Sequence, residues 1–114
     1  MGHTVEQHFD GRSKHVREIY ACVLGACREF GSVEEDPKKT SIHLNRKSAF
    51  AGIATQRDSL VITIKSTARI DDPRIRNSEQ ASRRRWYNYI KLNTPDEVDG
   101  RLIRWLRDSY EISG

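Results

Sequence analysis

The sequence predicts a two-layer α+β fold: an antiparallel sheet of four to five strands with an N-terminal and a C-terminal helix packed on one of its faces. Three observations carry this expectation. Apolar residues recur at helical spacing near both ends of the chain, the short segments between them alternate apolar with polar residues, and polar turns separate those segments. At 114 residues there is room for one core. Residues 1–114 are therefore expected to form a single α+β domain, with residues 1–8 as a candidate flexible N-terminal segment.

The first helix is read from GRSKHVREIYACVLGACREFG, where Val16, Ile19, Tyr20, Val23, Leu24, Cys27 and Phe30 fall on one stripe. Ser13 stands at its start as an N-cap and Gly31 at its end as a stop. The other side carries Ala21, Cys22 and Gly25, and the mid-helix glycine is read as a tolerated cost of about 1 kcal/mol. Five helical positions separate the Cα atoms of Cys22 and Cys27 by about 7.5 Å along the axis, beyond easy disulfide reach. Both thiols are expected free, with Cys27 a small buried hydrophobe.

Short strands follow. SVEED leads to Pro37, TSIHLNRK sets Ile42 and Leu44 against His43 and Asn45, and AFAGIA comes next. TQRD reads as a turn, after which SLVITIKS alternates Leu60, Ile62 and Ile64 with Val61, Thr63 and Lys65. This is an antiparallel meander. ARIDDPRIRNSEQASRRR is polar and irregular, and is expected to be a long surface loop with one helical turn begun by Asp72 and Pro73. RWYNYIKL returns as a strand, with Trp86, Asn88, Ile90 and Leu92 on one side and Tyr87, Tyr89 and Lys91 on the other.

The last helix is announced by NTPDEV, in which Thr94 is the N-cap, Pro95 the first helical residue and Glu97 the partner in a capping box. Val98, Leu102, Trp105, Leu106, Ser109 and Ile112 form its inner stripe. The composition, 36% hydrophobic and 32% charged with net charge +4 and a pI near 9.3, is that of a globular chain. No apolar run approaches the roughly 18 residues of a membrane span, and the start lacks the blocks of a signal peptide. A cytoplasmic protein without membrane contact is expected.

The segments VEQHFDG, KKTSIHLNRKSAFAGI, DDPRI and LNTPDEVD, in that order, resemble the successive signature segments of a small bacterial domain-of-unknown-function family, family 5655. The resemblance runs from Val5 to about Tyr110. It implies a helix, meander, strand and helix domain, sometimes appended to other modules. It implies no activity, cofactor or catalytic residue.

Chemistry is tested by spacing. A nuclease core of similar element order holds Mg²⁺ with carboxylates, one of them in an acid-x-Lys arrangement on a strand. VITIK puts Thr63 where that acid belongs, and Asp58 lies in a turn, so a degenerate or undetected nuclease-like enzyme is a distant alternative. His3, His8, His15 and His43 are scattered outside zinc-ligand spacing, and structural or exposed roles suit them better. The acids at 34–36 and 71–72 could pair only if the fold joined them. No catalytic residue, metal ligand or cofactor is assigned, and the reading leans away from an enzyme.

What is left is a basic cluster. Arg69, Arg74, Arg76, Arg83, Arg84, Arg85 and Lys91 stand against Asp71, Asp72 and Glu79. If Trp86, Ile90 and Leu92 pack under the helices, Tyr87, Tyr89 and Lys91 emerge on the opposite sheet face beside Thr63, Lys65 and His43. The expected binding residues are therefore Tyr87, Tyr89, Lys91, Lys65, Arg83, Arg85 and His43. A face of tyrosines and cations suits a protein partner or self-association, which is the favoured reading. Single-stranded nucleic acid or a small anionic ligand is the alternative on the same face, with bases stacking on rings and cations meeting phosphates.

Overall fold

The computed structural model describes residues 2–114. Helix α1 spans Lys14–Arg28 and helix α2 spans Gly100–Glu111. Between them run strands β1 (Glu34–Pro37), β2 (Ile42–Asn45), β3 (Ala49–Thr55), β4 (Leu60–Ser66), β5 (Ile75–Ser82) and β6 (Arg85–Leu92). Single 3-10 turns at Glu6–Phe9 and Pro95–Glu97 precede the two helices. The α+β class is as expected, but the sheet has six strands rather than four or five. Its order is β1-β2-β3-β4-β6-β5, with every pairing antiparallel.

Alternation decides which face the helices cover. Ile42, Leu44, Ile53, Leu60, Ile62, Ile64, Ile90 and Leu92 are buried, and they meet Val16, Ile19, Tyr20, Val23 and Cys27 of α1 and Leu102, Leu106 and Tyr110 of α2 in one core. Full burial of such a side chain contributes about 1.5–3 kcal/mol. Tyr110 anchors α2 twice. Its ring meets Phe50 edge-on at 5.1 Å, and its hydroxyl donates to the Ser32 carbonyl at 2.9 Å. Cys27 lies in the core and Cys22 on the exposed side of α1, both unbonded.

Four expectations need correction or refinement. The segment read as a long loop contains β5, an edge strand beside β6. At Asp72 and Pro73 the chain makes one hydrogen-bonded turn without a helix following it: the Ile75 amide donates to the Asp72 carbonyl at 3.0 Å, and the Asp72 carboxylate accepts the Arg74 amide at 2.9 Å, steering the chain into the strand. The strand was hidden because an edge strand with one solvated face buries few side chains. Within Ile75–Ser82 only Ile75 and Ser78 escape full exposure.

The helix start also differs. The Thr94 and Glu97 box forms, with the Glu97 carboxylate accepting the amides of Asn93 at 2.6 Å and Thr94 at 3.0 Å, but it closes only the turn Pro95–Glu97. Val98 leaves helical geometry (ψ 75°), and the chain restarts with Asp99 as N-cap. The Asp99 carboxylate accepts the Leu102 amide at 3.0 Å, and its two oxygens share one guanidinium nitrogen of Arg74, Nη1, at 3.0 and 2.9 Å. Arg74 also donates to the Glu97 carbonyl at 2.6 Å. A helix running through from Pro95 would lose this clamp. At the other helix, Ser13 does precede α1, but its hydroxyl donates to the Asp58 carboxylate across the β3–β4 turn instead of capping.

Candidate site on the open face of the sheet

Among the described residues no helix packs on the second face of the sheet, and register fixes what it displays. His43 of β2 pairs with Gly52 of β3, Gly52 with Thr63 of β4, Thr63 with Tyr89 of β6, and Tyr89 with Asn77 of β5. One row thus crosses five strands. Beside it Lys65 pairs with Tyr87, and Tyr87 with Glu79; on the other side Ala54 pairs with Val61, and Val61 with Lys91. His43, Lys65, Tyr87, Tyr89 and Lys91 are all half-buried, each packed by its neighbours and open above.

The face is concave where its side chains are small. A cavity of about 280 Å³ opens beside Gly52, walled by His43, Thr63, Lys65 and Tyr87 with Ser41 and Ala54 at its margins. Gly52 is not demanded by the backbone: its φ lies outside the left-handed region, and an added Cβ would meet Thr63 Cβ at 3.6 Å, an ordinary contact. A glycine within a strand often marks close approach of another group. Here it keeps the floor low.

Of the residues expected from the sequence, the cavity gathers His43, Lys65 and Tyr87. Tyr89 and Lys91 continue the face along β6. Arg85 begins that strand on the same side, and Arg83 lies exposed in the β5–β6 turn. Arg74 leaves the basic cluster for its clamp on Asp99. Ser48 and Glu79 have roles that no local pattern announces: Ser48 accepts from Lys65 Nζ at 3.3 Å, and Glu79 accepts the Tyr89 hydroxyl at 3.2 Å.

The electrostatics are uneven. Burial lowers the Lys65 ammonium below the usual lysine range, and the positive charge of Arg85 acts the same way. Burial raises the Tyr89 phenol, and the Glu79 charge adds to it. Of the β1 acids, Asp36 meets Lys38 at 2.9 Å and Glu35 accepts the Tyr20 hydroxyl at 2.6 Å, while Glu34 is exposed at the start of the strand. Asp72 holds Arg101 at 2.7 Å, so the two acidic runs have separate partners and form no pair.

The remaining chemical candidates resolve into structural contacts. Asp58 holds Ser13, while its carbonyl meets His15 Nε2 at 2.6 Å. His8 Nε2 lies 2.8 Å from the Lys38 carbonyl. Among the described residues no three His, Cys, Asp or Glu side chains gather in a metal-holding arrangement, and no helix is long and apolar enough to cross a membrane. A second concavity, about 500 Å³, lies between α2 and the segment 66–70, with Trp105, Ile70, Asp108 and Glu111 around it.

The sequence profile of the family described as Domain of unknown function (DUF5655) matches residues 5–113. No curated protein and no solved structure is significantly similar to the chain.

Proposed function

The chain belongs to the DUF5655 family, whose description names no reaction or ligand, and we propose that it is a binding module that takes an extended anionic partner, single-stranded nucleic acid, on the open face of its sheet. The observation that carries this reading is the registered row of aromatics among cations on an uncovered face. Tyr87 and Tyr89 stand on one side of β6, about 6.8 Å apart along the strand, so each ring can take one base. Lys65, Lys91 and Arg85 flank them, and none of the three belongs to an ion pair among the described residues. Among the described residues the only carboxylate registered against these tyrosines is Glu79. Arg83 and His43 mark the two ends of the surface.

Self-association through the same face, which the sequence favours for its tyrosines and cations, faces an electrostatic cost. A twofold contact would bring Lys65, Arg85 and Lys91 of both copies into one interface, like charges facing like. Contact with another protein is the second reading, supported by the cavity beside Gly52, which could seat one protruding side chain.

Titration with a fluorescent single-stranded oligonucleotide across a salt series tests the proposal. Affinity should fall with salt at a log–log slope of about −0.7 per neutralised phosphate. Tyr87→Ala and Tyr89→Ala should each weaken binding by about 1–3 kcal/mol at nearly constant slope, while Lys91→Ala should make the slope shallower. Binding that is absent at low salt, or indifferent to all three substitutions, would overturn it.

A further inference from the structure

We propose that Lys65 and Arg85 together form a phosphate seat at one end of the open face, so that one phosphate of the ligand is held while its attached ring lies in the cavity beside Gly52. The inference rests on the reading of this face as the ligand-binding surface.

Lys65 lies directly across the ladder from Tyr87, and Arg85 precedes Tyr87 on the same side of β6. Two cations are thus held around one aromatic ring. Neither is neutralised: no carboxylate forms an ion pair with either among the described residues, and Glu79, the acid registered against Tyr87, accepts the Tyr89 hydroxyl. Arg85 Nη1 is shielded from solvent without a hydrogen-bond partner, the one such side-chain nitrogen or oxygen among the described residues. Leaving a buried donor unpaired is costly and uncommon in folded proteins, above all for a charged group. Lys65 Nζ makes one hydrogen bond, to Ser48 Oγ, and an ammonium has three donors. Burial and the neighbouring Arg85 charge both disfavour its protonated form. An oxyanion between the two cations relieves both strains at once.

Geometry favours phosphate over carboxylate. The donors come from adjoining strands, β4 and β6. A tetrahedral phosphate offers oxygens to both, whereas a planar carboxylate is best met by one fork in its own plane. Lys65 and Tyr87 also wall the cavity, so a phosphate held here leaves its attached ring beside an apolar, glycine-floored hollow. The phosphate could be the terminal group of a strand or an internal diester.

The test is titration of the ¹⁵N-labelled protein with inorganic phosphate, followed by NMR at the backbone amides and the Arg85 guanidinium. Perturbation is expected to centre on Lys65, Arg85 and Tyr87, with affinity at least tenfold weaker in Lys65→Met and in Arg85→Gln and unchanged in Arg104→Gln, an exposed arginine of α2. Arg85→Lys keeps the charge and should recover part of the loss, and each variant's amide spectrum shows that it is folded. Oligonucleotides with and without a 5′-phosphate then separate the sources. A seat for a strand end binds the phosphorylated form about tenfold more tightly, while a seat for an internal diester binds both equally and loses affinity for both in Arg85→Gln. Phosphate shifts scattered over unrelated lysines, or unchanged affinity in Lys65→Met and Arg85→Gln, would overturn the seat. If oligonucleotides bind through Tyr87 and Tyr89 but ignore Lys65 and Arg85, the seat fails and the face stands. If phosphate binds at the pair but no oligonucleotide does, the seat stands and the nucleic-acid reading fails.

Discussion

A methyl group added at Gly25 meets nothing within 4 Å, whereas one added at Gly31 would stand 2.6 Å from the Tyr110 hydroxyl. Gly31 also has φ +147°, a conformation that other residues rarely adopt. The two glycines therefore predict opposite signs. Gly25→Ala should stabilise the fold by about 0.5–1 kcal/mol through helix propensity. Gly31→Ala should destabilise it by about 1–3 kcal/mol, because strain and the displaced Tyr110 add together. Denaturant midpoints at equal slope would measure both. The cysteines give a second residue-level test. Burial pushes the Cys27 thiol up to about 12, while Cys22 is exposed. A thiol reagent at pH 8 should modify Cys22 at once and Cys27 only at the rate of unfolding; rapid modification of both would show that α1 opens locally.

At the scale of elements, the start of α2 depends on Asp99 rather than Thr94. Asp99→Ala should cost about 1–2 kcal/mol and exceed the loss from Thr94→Ala, since only Asp99 joins the helix amides to Arg74. The Leu102 amide first, and then Arg74, hold the Asp99 carboxyl below its usual range. A depressed carboxylate contributes stability above its unfolded value, about 3.9, and loses it as pH falls through its folded value. The advantage of wild type over Asp99→Asn should therefore be full at pH 7 and shrink below about pH 4. An advantage unchanged at pH 2 would mean that the charge has no part in the cap.

Strand β5 shows what was legible in the sequence and what was not. The helices and inner strands declared themselves because burial imposes periodicity, as in Leu60, Ile62 and Ile64. The face of Tyr87, Tyr89, Lys65 and His43 followed from the same alternation. An edge strand is held instead by backbone pairing and, here, by a polar side chain of the neighbouring strand, ten residues from its β5 partner. Asn88 is fully buried on the helix-covered side, and its amide donates to the Ile64 carbonyl and Ser66 Oγ. Its carbonyl accepts from the Ile70 amide and from Ser78 Oγ of β5. No local pattern announces that role, which depends on β4 and β5 flanking the same strand. Asn88→Ala should destabilise the protein by about 2–3 kcal/mol and speed amide exchange first across residues 68–82. Uniform acceleration over the whole sheet would instead assign Asn88 to the common core.

For the whole molecule the sheet is a partition, with both helices and the apolar core on one side and the cations of β4 and β6 on the other. At net charge +4, two copies meeting through the open face repel, and that repulsion is screened as the Debye length shortens from about 30 Å at 0.01 M salt to about 8 Å at 0.15 M. A single strand meeting the same face is attracted, and salt weakens that attraction by restoring counterions. Salt therefore moves the two kinds of contact in opposite directions. Sedimentation of the protein alone and oligonucleotide titration, run over one salt series, should show a monomer at 0.01 M salt where nucleic acid binds most tightly, and any dimer through this face should appear only as that binding fades. A dimer that forms at low salt and dissolves as salt rises would indicate a different geometry. It would join unlike charges, setting the acidic edge at Glu34 and Asp36 of one copy against Lys65, Arg85 and Lys91 of the next, and the substitution Lys91→Ala would then weaken the dimer and the nucleic-acid complex together.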